Sequence, residues 1–289
     1  MTQKAELYKK FQLFIMLSFF ILILELAGGF FTNSLALLSD SAHILVDLLA
    51  LLIAYFSMHL SKRNSTEKFT FGYHRAEIFA AIVNGIVLIF VTLYIFYESY
   101  KRFLVPQEIK APQMLAISIV GLLANFYVVT KMRDEKQNLN VRAAYLHVLS
   151  DTVSSIGVVM AGFLVILTGN HIFDVIISAI IGLLILASSI GLLKESVHVL
   201  MEGAPQNINL KRLSNDIMKI KGVQEIHDLH VWSISSDVYA LGSHILIDAD
   251  SIKSMNKTVS RINSMLKSKY NIKYTTIQSE CEKCAHADG

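Results

Sequence analysis

Residues Ser34–Leu60 read SLALLSDSAHILVDLLALLIAYFSMHL. The stretch is long and apolar enough to cross a bilayer, yet its first half carries Asp40, His43 and Asp47. Ionisable groups inside a membrane span are costly and are rarely there without a task. The pattern recurs in Ala143–Leu167, AAYLHVLSDTVSSIGVVMAGFLVIL, with His147 and Asp151. Both pairs are His-x-x-x-Asp, and positions i and i+4 lie one turn apart on the same helix face. Packed side by side, two such helices present two imidazoles and two carboxylates to one point, a tetrahedral set that suits Zn²⁺. Neither stretch contains Lys or Arg. A divalent cation, or protons in its absence, must then supply the counter-charge.

The rest of the chain fits this reading. Of 289 residues 53% are hydrophobic and only 17% charged, with a mean hydropathy of +0.49. The apolar residues come in blocks of about 20 or more, the length that crosses a roughly 30 Å hydrocarbon core. Six spans are expected, near 11–31, 35–60, 77–101, 113–132, 142–168 and 173–195. The first follows Lys9-Lys10 but is too long for the apolar core of a signal peptide, and no small-x-small cleavage site follows it, so it is read as retained. Lys and Arg set the orientation. Lys4, Lys9, Lys10, Lys62, Arg63, Lys68, Arg75, Lys131, Arg133, Lys136 and Arg142 lie on one side; Lys101, Arg102 and Lys110 lie on the other. The asymmetry puts both termini in the cytoplasm. A net charge of +3 with no basic run among aromatics argues against nucleic acid.

After Pro205 the composition changes. Asn209–Lys221 reads as a short helix, Val223–Ser235 and Val238–Asp248 as strands, Ser251–Tyr270 as an amphipathic helix and Ile272–Ser279 as a third strand. The expected architecture is an α-helical membrane protein, six transmembrane helices in 1–204, followed in 205–289 by a small cytoplasmic α+β domain. The tail's order αββαβ, ferredoxin-like, puts helices on one face of a mostly antiparallel sheet. The tail holds His227, His230, His244, Glu280, Cys281 and Cys284, six potential zinc ligands. On an extended strand His227 and His230 point to opposite faces, so one ion does not take both. His227 and His244, on adjacent strands, can meet Glu280 at the end of the third. Cys281-x-x-Cys284 reads as metal binding or redox rather than as a staple for the fold.

Several motifs together carry a family resemblance: SLALLSDSAHILVD, FGYHRAEIFAAIVNG, LNVRAAYLHVLSD, HVLMEGAP and IHDLHVWSIS. Over nearly its whole length the chain resembles the cation diffusion facilitators, in particular the bacterial zinc/cadmium/cobalt exporters and their animal zinc-transporter relatives. The resemblance implies a transport site of His43, Asp47, His147 and Asp151. It also implies proton-for-metal antiport by alternating access, a homodimer, and a regulatory metal site in the tail. There a position that is sometimes His is Gln278, and Cys281 and Cys284 could complete the set. It further suggests an ion pair between Arg75 and Glu202. Histidine at both positions agrees with Zn²⁺, Cd²⁺ or Co²⁺ over hard Mn²⁺ or Mg²⁺. In EKFTFGYH, between spans two and three, only His74 remains of the ligands some bacterial members use, so no site is expected there.

Asp40 reads as an outer or entry group, Ser39 and Ser150 as packing or supporting hydroxyls, and Glu25, Asn84 and Asn125 as helix bridges before path-lining groups. Three alternatives compete, one of them a pure metal sensor that uses the tail and is anchored by its spans, for which six spans with a central charged site are excessive. An intramembrane zinc enzyme would need an open metal position and a general base, and no His-Glu-x-x-His occurs. A proton-coupled carrier of organic cations would use the His and Asp pairs as a relay only.

Overall fold

The computed structural model describes residues 2–61, 66–132, 139–235, 238–248 and 252–280. Side chains of residues 2–14, 50, 51, 53–61, 131, 132, 139–147 and 150 are outside that description, as are Cys281 and Cys284. Two of the sequence candidates named above, His147 and Ser150, therefore have a helical backbone but no described side chain.

Six long helices come first: α1 Thr2–Thr32, α2 Leu35–Ser61, α3 Ala76–Leu104, α4 Ala111–Met132, α5 Leu139–Thr168 and α6 Ile172–Leu200. Among the described residues five helices are long and apolar enough to cross a membrane. At 1.5 Å per residue a 29-residue helix is about 43 Å long, so α3 and α6 outreach the hydrocarbon core. The helices overrun the spans because hydropathy marks only the part in lipid. The chain clusters into two compact units, Met1–Ala54 with Val83–Leu192, and Tyr55–Ile82 with Leu193–Gly289.

Within the first unit the core is built from one stripe of each of five helices. Leu37 and Val46 of α2 meet Leu88 and Ile95 of α3, Met114 of α4, Val158 and Ala161 of α5, and Ile181 and Ile185 of α6. Ile21 and Leu22 of α1 pack with Ile44 of α2. Glycines permit the close approaches. A Cβ on Gly28 would stand 2.8 Å from Ile117 Cδ1, and one on Gly162 would stand 3.4 Å from the Leu115 Cα. Small residues at such crossings let membrane helices pack by van der Waals contact. The outward faces carry Phe90, Tyr94, Phe163, Leu167, Leu183 and Leu184, all exposed. A surface this apolar belongs in lipid rather than water.

The short α1–α2 turn is held firmly. Asn33 takes the left-handed backbone (φ 58), and Arg102 donates to its carbonyl at 2.6 Å and its side-chain oxygen at 3.0 Å. The first amides of α2 find their acceptor on another helix. Asp174, in the first turn of α6, accepts from Leu35 N at 2.8 Å, Ala36 N at 3.2 Å and Ser34 Oγ at 2.6 Å.

In the second unit the tail is α7 Leu210–Met218, β1 Val223–Ser235, β2 Val238–Ile247, α8 Ile252–Tyr270 and β3 Ile272–Glu280. α7 starts where Asn209 caps it, its side chain accepting from Arg212 N. It ends three residues before the expected Lys221. The strand order is β1-β2-β3, with β1 antiparallel and β3 parallel to β2. The parallel pair exists because α8 carries the chain back across the sheet. Leu213 and Ile217 of α7 and Ile262 and Leu266 of α8 pack on Val231, Leu241, Ile245 and Ile247. Side chains alternate along a strand, so His244 belongs to the face away from those helices.

Candidate metal centre

α2 delivers His43 and Asp47 one turn apart. His43 Nδ1 lies 3.7 Å from Asp47 Oδ2, and its Nε2 lies 3.6 Å from Asp151 Oδ1 on α5. One ligand atom from each of the three falls within 4.8 Å of the others. All three side chains are partly to fully buried. Neither distance is a hydrogen bond, and both are the loose spacing of donors gathered around a common point. His147, one turn before Asp151 on α5, lies outside the described side chains.

Asp40 stands one turn from this cluster and is held by α5. It accepts from Ser154 Oγ at 2.6 Å and Ser155 Oγ at 3.2 Å, while Ser155 Oγ accepts from Asn125 Nδ2 of α4 at 3.1 Å. This chain of bonds ties α2, α5 and α4 together around the cluster. Asn125 is thus the helix bridge expected of it, whereas Ser39 donates to the carbonyl of Leu35 in its own helix. Neither Ser154 nor Ser155 stands out in sequence, because α5 is rich in small residues throughout. Asp174 was also missed. At the start of a helix it reads as its own helix's acidic first turn, while its partners lie on α2.

In the tail β1 and β2 pair His227 with His244, and β2 and β3 pair Leu246 with Glu280. The carboxylate of Glu280 therefore reaches both imidazoles. Its Oε1 is 2.8 Å from His244 Nδ1, and its Oε2 is 3.4 Å from His227 Nε2. Ligand atoms of the three again fall within 4.8 Å. Both ring nitrogens of His227 are buried and, among the described residues, have no hydrogen-bond partner. Gln278 Nε2 donates to Glu280 Oε1 at 2.9 Å. His230 is separated from the group. The ladder between His227 and His230 is irregular where Asp228 takes a left-handed backbone (φ 51), and His230 lies exposed, 3.0 Å from Asp228 Oδ1. Asp228 also stands 3.7 Å from His244 Nε2, a neighbour that alternation along a regular strand does not foresee.

Arg75 Nη2 donates to Glu202 Oε1 at 2.9 Å, both side chains being well exposed. In the loop before α3, burial and then Lys273 push the His74 imidazole below its ordinary range, partly offset by Glu77.

Comparisons with known proteins agree over most of the chain. The family model described as cation efflux transmembrane domain matches residues 11–201, and that described as cation efflux protein, cytoplasmic domain, matches 205–282. A "Cadmium, cobalt and zinc/H(+)-K(+) antiporter" of Bacillus subtilis (strain 168) is 42% identical over 277 residues, covering 94% of this chain and 88% of that protein. The "Zinc transporter ZitB" of Yersinia pestis is 39% identical over 274 residues, covering 92% and 86%. The "Cation efflux system protein CzcD" of Alcaligenes sp. (strain CT14) is 37% identical over 268 residues, covering 92% and 84%. The chain belongs to the cation efflux family, the cation diffusion facilitators, and is a multi-pass membrane transporter rather than an enzyme.

Proposed function

We propose that this protein exports Zn²⁺, with Cd²⁺ and Co²⁺ as further substrates, from the cytoplasm in exchange for protons. The carrying observation is His43 of α2 standing 3.6 Å from Asp151 of α5 and 3.7 Å from Asp47. With His147 as the fourth ligand, the set is two imidazoles and two carboxylates. Imidazole selects this group of metals over hard divalent cations, and three of the chain's relatives carry cadmium, cobalt, zinc or cation efflux in their names. The ligands must be deprotonated to bind, so metal entry releases protons and protonation releases metal. Histidine titrates near neutrality, which makes the exchange reversible at cellular pH. Rocking of the helices then exposes the loaded site to either side in turn.

Residues 1–204 form the transport domain, and 205–289 form a cytoplasmic domain that pairs two protomers and senses metal. Both termini lie in the cytoplasm. In the tail His227, His244 and Glu280 would hold a regulatory zinc ion. The gathering of His227, His244 and Glu280, with the His227 ring nitrogens buried and unbonded among the described residues, suits that role. The test is uptake of radioactive zinc into inside-out vesicles with and without an imposed proton gradient. Gradient-driven uptake that is lost in Asp47→Asn is expected. Uptake independent of both the gradient and Asp47, or saturable uptake of an organic cation with no zinc uptake, would overturn the reading.

A further inference from the structure

Glu25 of α1 is only 1% exposed, and among the described residues its buried Oε2 has no hydrogen-bond partner. Its carboxyl occupies space that α4 leaves open at Gly121. A Cβ there would stand 2.6 Å from Glu25 Oε1, so any other residue would displace the group. Gly121 lies one turn before Asn125 on α4, and Asn125 reaches Asp40 through Ser155, so Glu25 borders the Asp40 side of the cluster. α2 contributes Asp40, His43 and Asp47 to this region and α5 contributes Asp151. The facing part of α4, at Gly121 and Asn125, is neutral, and none of these groups is Lys or Arg. A carboxylate buried this way needs a cation, and the space beside Gly121 is close-fitting. Asp40 accepts from two hydroxyls, those of Ser154 and Ser155, surroundings unlike the imidazole set that suits zinc.

We propose that Glu25 is a separate proton site, loaded while the metal ligands are empty and emptied when a divalent cation arrives. In the step the O–H bond of the Glu25 carboxyl breaks, its electron pair stays on the carboxylate, and the proton passes to water. Arrival of two positive charges at His43, Asp47 and Asp151 offsets the new negative charge. The proposal rests on metal binding at that cluster and adds to it a proton that no metal ligand carries. Asp40, fixed by two serines, is the positioning neighbour that keeps Glu25 responsive to the metal.

The test is calorimetric titration of the purified full chain with Zn²⁺ in potassium-free buffers of different ionisation enthalpy, which counts protons released per metal. Glu25→Gln is expected to bind the same number of zinc ions and release about one proton fewer per transported-site metal, while Glu25→Asp restores the count. Equal release by wild type and Glu25→Gln at equal occupancy overturns the proposal. Should Glu25→Gln fail to fold, Gly121→Ala keeps the carboxyl but shifts it, and an unchanged pH profile of proton release there also overturns it. Zinc binding that survives Asp151→Asn unaltered is a separate result, which sinks the metal site itself.

Discussion

Replacing Asp174 by Ala should unseat the start of α2, the helix that carries His43 and Asp47. Two amides, Leu35 N and Ala36 N, and the hydroxyl of Ser34 all lose their acceptor. Ser34, Leu35, Ala36 and Asp174 are each at most 2% exposed, so water does not readily replace it. An unsatisfied buried polar group costs about 1–3 kcal/mol. Neighbouring losses are not additive, because one relaxation or one water can serve several donors. Loss of a helix N-cap alone costs roughly 0.5–2 kcal/mol. A total of about 3–5 kcal/mol follows, and its lower end corresponds to a roughly 150-fold shift in the unfolding equilibrium. Asp174→Asn keeps one acceptor oxygen and should lose about 1–2 kcal/mol. Reversible unfolding in mixed detergent micelles measures the difference, and hydrogen exchange at the first turn of α2 locates it. An Asp174→Ala protein within about 0.5 kcal/mol of wild type would refute the capping argument.

Gly162→Val should cost about 1–3 kcal/mol in the same unfolding assay, since the obstacle is the Leu115 backbone of α4, which cannot swing aside. Arg75→Met should change stability by less than about 1 kcal/mol, because the pair with Glu202 is exposed to solvent; a larger loss would mean the pair is shielded. In the tail, Lys269 and then Tyr270 bond to Asp216 and draw its carboxyl down to about 2, while burial and the same Asp216 bond push the Tyr270 phenol up to about 12. A lowered carboxyl contributes stability that is complete above the unfolded value of about 3.9 and disappears as pH falls toward about 2. Hydrogen exchange of α7 and α8 in the full chain should therefore quicken over that interval, and Asp216→Asn should abolish the step.

The spans were legible because each is a block of apolar residues, and β1 because Val223–Ser235 is a run rich in Val, Ile and His that begins directly after Gly222. The i,i+4 spacing put His43 and Asp47 on one face of α2, and the structure brings Asp151 of α5 beside His43, while the His147 side chain lies outside the described residues. What stayed hidden was long-range and polar. The capping of α2 by Asp174 joins residues about 140 positions apart, and no periodicity reports such a pair. The nesting of Glu25 against Gly121 depends on the crossing of α1 and α4, which composition does not encode. In the tail, regular alternation could not supply the left-handed Asp228 that interrupts the ladder between His227 and His230 and brings a second carboxylate toward His244. The parallel seating of β3 likewise follows from the path of α8 rather than from the strand's own residues.

The most direct measurement is X-ray absorption at the zinc edge on purified protein carrying His244→Ala and Glu280→Gln, which silence the tail group. With one zinc ion bound per protomer, the expected nearest shell is four nitrogen and oxygen atoms at about 2.0–2.2 Å, with scattering from two imidazoles. His43→Ala should remove one imidazole and most of the affinity, and Asp151→Asn should do the same for a carboxylate. A zinc shell unchanged by either substitution would contradict the claim that α2 and α5 together hold the transported ion.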